Sequence, residues 1–162
     1  MKKSITIRLK ISEIIYDIQN KTYLTGRSAV NGNNHAHVAN MQANSDEENE
    51  AQILRSVTTA EGILRNRLAE YLDNAVESAS NTAANNSDDI VFNLFLPGNF
   101  NSSVTQTLGD ATHQFITSTA IAEWFAITAR GETTDYSLSA SEALKTLEEA
   151  LSKRLRPSRL SV

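Results

Sequence analysis

Residues 103–128, SVTQTLGDATHQFITSTAIAEWFAIT, constrain the fold most, because they combine the strongest helical periodicity with the single tryptophan of the chain. Apolar side chains recur there at steps of three, four and seven residues, which is typical of a helix with one buried face. The pattern predicts the inner helix of a bundle, with Ser118 at a position that an apolar residue would complete. The apolar face comprises Val104, Leu108, Ala111, Phe115, Ala122 and Phe125, broadened by Ile116, Ala120, Trp124 and Ile127.

Two strands and three further helices are predicted around this stretch. Residues 4–11 alternate apolar and polar side chains and predict a half-buried strand, and residues 90–96 predict a second one. An isolated two-stranded hairpin is marginal in water, so the strands pair either with each other on the helices or with other chains. The sequence therefore predicts a mainly α fold, a single domain over 1–162 in which about four helices and a small two-strand β element form a bundle. The three further helices are expected over residues 12–25, 45–76 and 138–155.

Caps and polar connections predict where the helices begin and end. Ser12 and Ser45 are suited to accept hydrogen bonds from the first helical N–H groups, and Ser45 begins a capping-box sequence. Gly26 is a typical residue at a helix C-terminus. Residues 27–44 are polar and rich in asparagine, and they predict an exposed loop that is longer than most connections in compact domains.

Charge is distributed unevenly along the chain. Residues 1–28 carry six basic and two acidic groups, a net of +4, whereas residues 45–90 carry three basic and ten acidic groups, a net of −7. The two oppositely charged segments are suited to attract each other, either within one monomer or between copies in an assembly. Ordinary solvent-exposed faces also explain this charge distribution.

The C-terminal tail is basic, and we considered it as a contact for nucleic-acid phosphate. Lys153, Arg154 and Arg156 follow the last predicted helix, where cations complement the helix dipole, and Arg159 lies beyond them. No aromatic residues are interleaved with these cations, so stacking on bases has no support. Direct contact with nucleic acid is therefore not expected.

No pattern in the sequence indicates catalysis, a cofactor or a resident metal. The chain has no cysteine, which excludes disulfides and thiolate chemistry, and its six glycines form no phosphate-binding loop. His35 and His37 would point the same way in an extended segment and bind a metal, but the loop has no acidic residue to complete a site. His113 fits a boundary histidine of the central helix better than a catalytic base. We therefore expect a protein that is not an enzyme and has no cofactor.

The sequence has no apolar run of membrane length, and its N-terminus lacks the apolar core of a signal peptide. These features predict a protein that has no membrane partner and remains in the cytoplasm where it is made.

Four stretches carry a family resemblance: SITIRLKISEIIYDIQNKTYLTGRS, LFLPGNFN, HQFITSTAIAEWFAIT and SKRLRPSR. Together they resemble small proteins encoded in the structural-gene regions of phages and prophages of gut Bacteroidales. The second half, a helix with an AEWF segment followed by an acidic-to-basic helix, is also similar in pattern to helical head–tail connector proteins of tailed phages. The resemblance implies a virion component, made in the host bacterial cytoplasm, that forms a homo-oligomeric ring in the neck or tail and contacts portal or tail proteins.

A ring subunit needs a strand edge or an arm that engages its neighbour, together with complementary charges. The alternative is a cytoplasmic helical binding or regulatory module of phage or prophage origin, which recognises a protein partner by strand addition or helix-in-groove packing. An enzyme is the third and least supported possibility. Candidate interface residues are Ile5, Ile7, Leu9, His35, His37, Trp124, Lys153, Arg154, Arg156 and Arg159.

Overall fold

The structure is a computed structural model that describes residues 1–72 and 78–159. It is 62% helical and contains five helices and a two-strand antiparallel sheet, so the predicted fold class, mainly α with a small β element, is confirmed. Short 3₁₀ turns at Ser102–Val104 and Arg130–Glu132 precede the last two helices. In chain order the elements are β1 (Lys2–Lys10), α1 (Ile11–Ser28), α2 (His35–Met41), α3 (Glu47–Arg67), β2 (Asp89–Pro97), α4 (Thr105–Thr128) and α5 (Thr133–Leu151).

The two strands pair with each other, which decides between the two pairings that the sequence left open. Lys2 lies opposite Pro97 and Lys10 lies opposite Asp89 in an unbroken antiparallel register. The alternation predicted for β1 places one face of the sheet against the helices and the other face in solvent. The buried face consists of Ile5, Ile7 and Leu9 from β1 and Ile90, Phe92, Leu94 and Leu96 from β2.

Helix α4 is the centre of the bundle, as its periodicity predicts. It contacts α1, α2, α3, α5 and β1, and side chains around most of its circumference are buried. Ser118 is buried as well, and its hydroxyl contacts Gln114 of α4 and Ser139 of α5 at 3.0 and 3.2 Å. The prediction is wrong for Ile127, which is 67% exposed because its side of the last turn borders an open hollow.

Most of residues 27–44 are exposed, as predicted, but the prediction of a loop is wrong because a short helix, α2, forms within the segment. Met41 and Ala43 are buried at the end of this segment. The Ala43 N–H donates to the Thr22 hydroxyl of α1 at 3.1 Å, and the indole N–H of Trp124 donates to the Met41 carbonyl at 2.7 Å. Tertiary contacts therefore order a segment whose own sequence has no apolar periodicity.

Gly26 does not end α1, which continues to Ser28. The residue is buried where α1 meets α2, and a Cβ added to it would lie 3.3 Å from the Val38 carbonyl oxygen. The glycine thus allows the two helices to approach closely, and this is why a helix stop was the wrong interpretation.

The predicted caps are also wrong. Helix α1 begins at Ile11, directly after β1, so Ser12 is inside the helix. Helix α3 has Asp46 rather than Ser45 at its N-cap, and no side-chain capping bond is present. For α1, the end of the β1–β2 ladder at Lys10 and Asp89 sets the start of the helix.

Two helices are shorter than predicted at their C-termini. Helix α3 ends at Arg67 and turns follow, while residues 73–77 of the predicted helix lie outside the described residues. Helix α5 ends at Leu151 instead of residue 155. The backbone N–H of Leu155 donates to the Asn99 carbonyl at 2.8 Å, so the tail pairs with a turn instead of continuing the helix.

Candidate interaction surfaces

The outer edge of β1 is open. Phe95 of β2 donates its backbone N–H to the Tyr71 carbonyl at 2.7 Å, so the backbone groups of Phe95 point away from β1. Phe95 lies opposite Ser4, and opposite residues of an antiparallel pair either bond to each other or both point outward. The N–H and C=O groups of Ser4 therefore point away from β2.

Backbone direction alternates along a strand, so every second residue of β1 shares the outward direction of Ser4. Within the part of the chain that the structure describes, no turn or loop backbone group bonds to Ser4, Thr6 or Arg8. The result is a strand edge with unpaired donors and acceptors. This edge comprises Ser4, Thr6 and Arg8, and it ends at Lys10, the N-cap of α1.

A groove of about 410 Å³ runs beside this edge, between β1 and the N-terminal half of α4. Thr6 and Arg8 lie on one wall, and Thr105, Gly109 and His113 lie on the other. A Cβ added to Gly109 would meet no atom within 4 Å, so the α4 wall is open at that point. An extended segment of another chain would find backbone partners on one side of this groove and helix side chains on the other.

His113 pairs with Asp17 of α1 next to the groove. The imidazole Nε2 lies 2.6 Å from the Asp17 carboxylate, and the two side chains are 27% and 37% exposed. This contact joins α1 to α4 and fits the predicted boundary histidine. Within the described residues the imidazole has no other hydrogen bond, so no nucleophile is held against it.

The apolar candidate interface residues lie inside the chain. Ile5, Ile7 and Leu9 are at most 9% exposed, because this face of β1 covers the helices. Trp124 is 7% exposed and is held by its bond to Met41. These four side chains offer no contact surface to another copy, and β1 instead exposes its backbone edge and its basic face.

His35 and His37 do not act together. Both are exposed on α2, where residues two apart are separated by about 200° around the helix axis. The extended geometry that would have aimed them at one metal is therefore absent. In residues 1–72 and 78–159 no three metal-ligating side chains lie close enough together to hold a metal ion.

The start of β1 and the tail that follows α5 (residues 152–159) meet at the turn before α4. The Lys3 ammonium donates to the Phe100 carbonyl at 2.8 Å and contacts the Ser102 hydroxyl at 3.3 Å. From the tail, the Lys153 carbonyl accepts from the Asn101 N–H at 3.1 Å. Cations near the start of β1 and along the tail therefore lie at one end of the molecule, the basic end, which comprises Lys2, Lys3, Lys153, Arg154, Arg156 and Arg159. Lys2 and Lys3 extend from opposite faces of the strand.

No member of the basic end forms an ion pair within the described residues; the pairs found there join other groups. Sequence reasoning identified the four tail cations and missed Lys2 and Lys3. Only the strand register and the bridge between Phe100 and Arg154 bring the two sets together, and neither can be derived from local pattern.

Acidic residues gather at the other end of α4. The first turn of α3 and its cap carry four carboxylates, and one of them, on Asp46, borders the same hollow as Thr128 at the end of α4. Helix α4 has 24 residues, so at ~1.5 Å per residue it separates the acidic and basic ends by roughly 35 Å. The uneven charge of the sequence is therefore also an uneven charge in space.

Comparison with known proteins identifies no relative of the chain. No family model matches the chain, and no curated protein or solved structure is significantly similar to it. Among the described helices, none combines the length and apolar character needed to cross a bilayer.

Proposed function

We propose that the chain is a non-enzymatic structural subunit of a tailed-phage particle, which forms a homo-oligomeric ring in the neck or tail and contacts portal or tail proteins there. The observation that carries this proposal is the open edge of β1. A strand with unpaired N–H and C=O groups is a template for a strand from another chain. The likeness of the sequence to phage structural-gene products supports the place in the particle.

The body behind the edge suits a subunit that transmits force between neighbours. The buried face of β1 packs into the same core as α4, and the chain passes from β1 into α1 without a loop. A strand bound at the edge would therefore be attached to the whole bundle rather than to a mobile arm.

The charges of β1 favour a neighbour that presents a different segment. Two copies of β1 paired antiparallel about Thr6 would place Lys2 of one copy opposite Lys10 of the other, and like charges opposite each other destabilise a sheet. A contact between two different surfaces of the chain repeats from copy to copy. The assembly closes into a ring when the rotation that relates neighbouring copies divides a full turn evenly.

The open edge can be tested with Thr6→Pro. The Thr6 N–H points away from β2, so proline removes an edge donor without removing a bond of the β1–β2 ladder, and proline is tolerated on such edges. The matched control is Thr6→Val, which keeps the N–H and also loses the side-chain contact to Asn93. Sedimentation velocity should show wild type and Thr6→Val as the same oligomer and Thr6→Pro as smaller species.

Far-UV circular dichroism establishes that each variant is folded, and Ser4→Pro repeats the test one outward-facing residue away. A folded Thr6→Pro variant with the wild-type oligomer mass would contradict the role of the edge. Mass spectrometry of purified particles tests the location, and absence of the protein from them would remove the virion assignment.

The second candidate is the protein-binding module, in which the edge accepts a peptide segment of a partner. The groove beside β1 favours it, because a bound strand would place alternate side chains against α4. This candidate predicts a monomer or dimer that does not associate with particles, and the same sedimentation and particle measurements separate it from the ring subunit.

A further inference from the structure

We infer that the basic end is a binding surface for the phosphate backbone of a nucleic acid. This surface lies at the opposite end of α4 from the acidic residues. Binding there does not require that copies of the chain assemble. The sequence predicts no direct contact with nucleic acid. The fold changes that expectation because it brings the start of β1, with Lys2 and Lys3, to the same end of the molecule as the four tail cations.

Three of the six cations, Lys3, Lys153 and Arg154, are held in place by contacts to the backbone. Lys3 is fixed by the Phe100 carbonyl, and the tail is fixed by its bonds to Asn99 and Asn101. The Arg154 guanidinium donates to the Leu151 carbonyl at the end of α5, which orients it at the same surface. A fixed cluster loses less conformational entropy on binding than separate flexible side chains would.

No carboxylate forms an ion pair with a basic-end cation within the described residues. Residues 1–10, 97–109 and 152–159 contain no aspartate or glutamate, and the acids nearest along the chain to the last two of these segments are Asp110 of α4 and Glu149 of α5. Within the described residues neither lies within ion-pair distance of a basic-end cation. Six like charges in one region repel each other, and a polyanion would relieve this repulsion.

The net charge of −4 does not oppose this assignment. Exposed charges are largely screened beyond a Debye length, which is about 8 Å at physiological ionic strength. The carboxylates at the start of α3 lie roughly 35 Å away along α4, so an approaching polyanion experiences the local positive field. A phosphate backbone fits best because arginine forks bind phosphate oxygens in pairs and three of the six cations are arginines.

The test is fluorescence anisotropy of the full chain with a labelled 30-base-pair duplex of arbitrary sequence, titrated in 50 to 300 mM NaCl. Contact with four to six phosphates predicts that log K falls with log salt with a slope of about −3.6 to −5.4. The variant Lys153→Gln/Arg156→Gln/Arg159→Gln should bind at least about tenfold more weakly at 100 mM salt, with a slope shallower by about 2.7.

The matched control is Arg27→Gln/Arg130→Gln/Lys145→Gln, which removes the same number of exposed cations from other surfaces. It should bind within about twofold of wild type. Equal losses in the two triple variants, or no measurable binding by wild type at 50 mM salt, would overturn the inference. A polyglutamate peptide that binds more tightly than the duplex per unit charge would also overturn it, because an acidic protein surface would then be the better partner.

Discussion

Replacing Trp124 with phenylalanine should destabilise the protein through α2, a helix that the sequence pattern does not predict. The indole N–H donates to the Met41 carbonyl at 2.7 Å, and both residues are buried. Leaving a buried carbonyl without a donor costs about 1–3 kcal/mol. The smaller ring also leaves a cavity, which adds about 1 kcal/mol. We therefore expect Trp124→Phe to lower the free energy of unfolding by about 2–4 kcal/mol.

Urea unfolding followed by far-UV circular dichroism measures this loss of stability. The substitution should also lower the melting temperature by about 2–4 °C for each kcal/mol lost. Ile127→Ala is the matched control on the same helix, because that side chain is 67% exposed and its loss should change stability by less than about 0.5 kcal/mol.

Amide hydrogen exchange locates the effect of Trp124→Phe. Exchange in α2 (His35–Met41) should accelerate more than exchange in α4, because the lost bond joins these two helices. A loss of stability below about 0.5 kcal/mol, or unchanged exchange in α2, would refute the conclusion that Trp124 holds this segment in place.

Three further substitutions test other contacts. Thr22→Val removes the acceptor of the buried Ala43 N–H, 3.1 Å away, and should cost about 1–3 kcal/mol in urea unfolding; an unchanged midpoint would contradict this. Gly98→Ala brings a methyl group into collision with the Met1 carbonyl oxygen, so amide exchange should accelerate at the start of β1 and not in the helices; unaltered exchange there would show that the contact is not tight. Arg8→Ala breaks an exposed ion pair and should change the free energy of unfolding by less than about 0.5 kcal/mol, and a larger loss would mean that the pair is not merely a surface contact.

The main elements could be predicted because their apolar residues repeat with the period of their own secondary structure. The stripe of α4 and the alternation of β1 each identify one buried face, and the structure buries those faces. Helix α2 could not be found this way, since only Met41 among its seven residues is buried. Its order depends on bonds to Thr22 and Trp124, which are distant in sequence.

The candidate surfaces were predictable only in part. The basic tail is evident in the sequence, but Lys3 joins it through contacts that span 97 residues and more. The open edge follows from the direction in which Phe95 donates its N–H, and that direction depends on the pairing register. Apolar residues of β1 were assigned to an interface because one strand cannot reveal whether its apolar face covers its own chain or another.

The central claim, that this chain assembles with copies of itself through the edge of β1, is tested most directly by the native mass of the purified full-length protein. Native mass spectrometry or sedimentation at micromolar concentration should give one discrete oligomer of three or more copies, with Thr6→Pro reduced to smaller species. A wild-type protein that stays monomeric over the whole concentration range, alone and with portal or tail proteins added, would contradict the account.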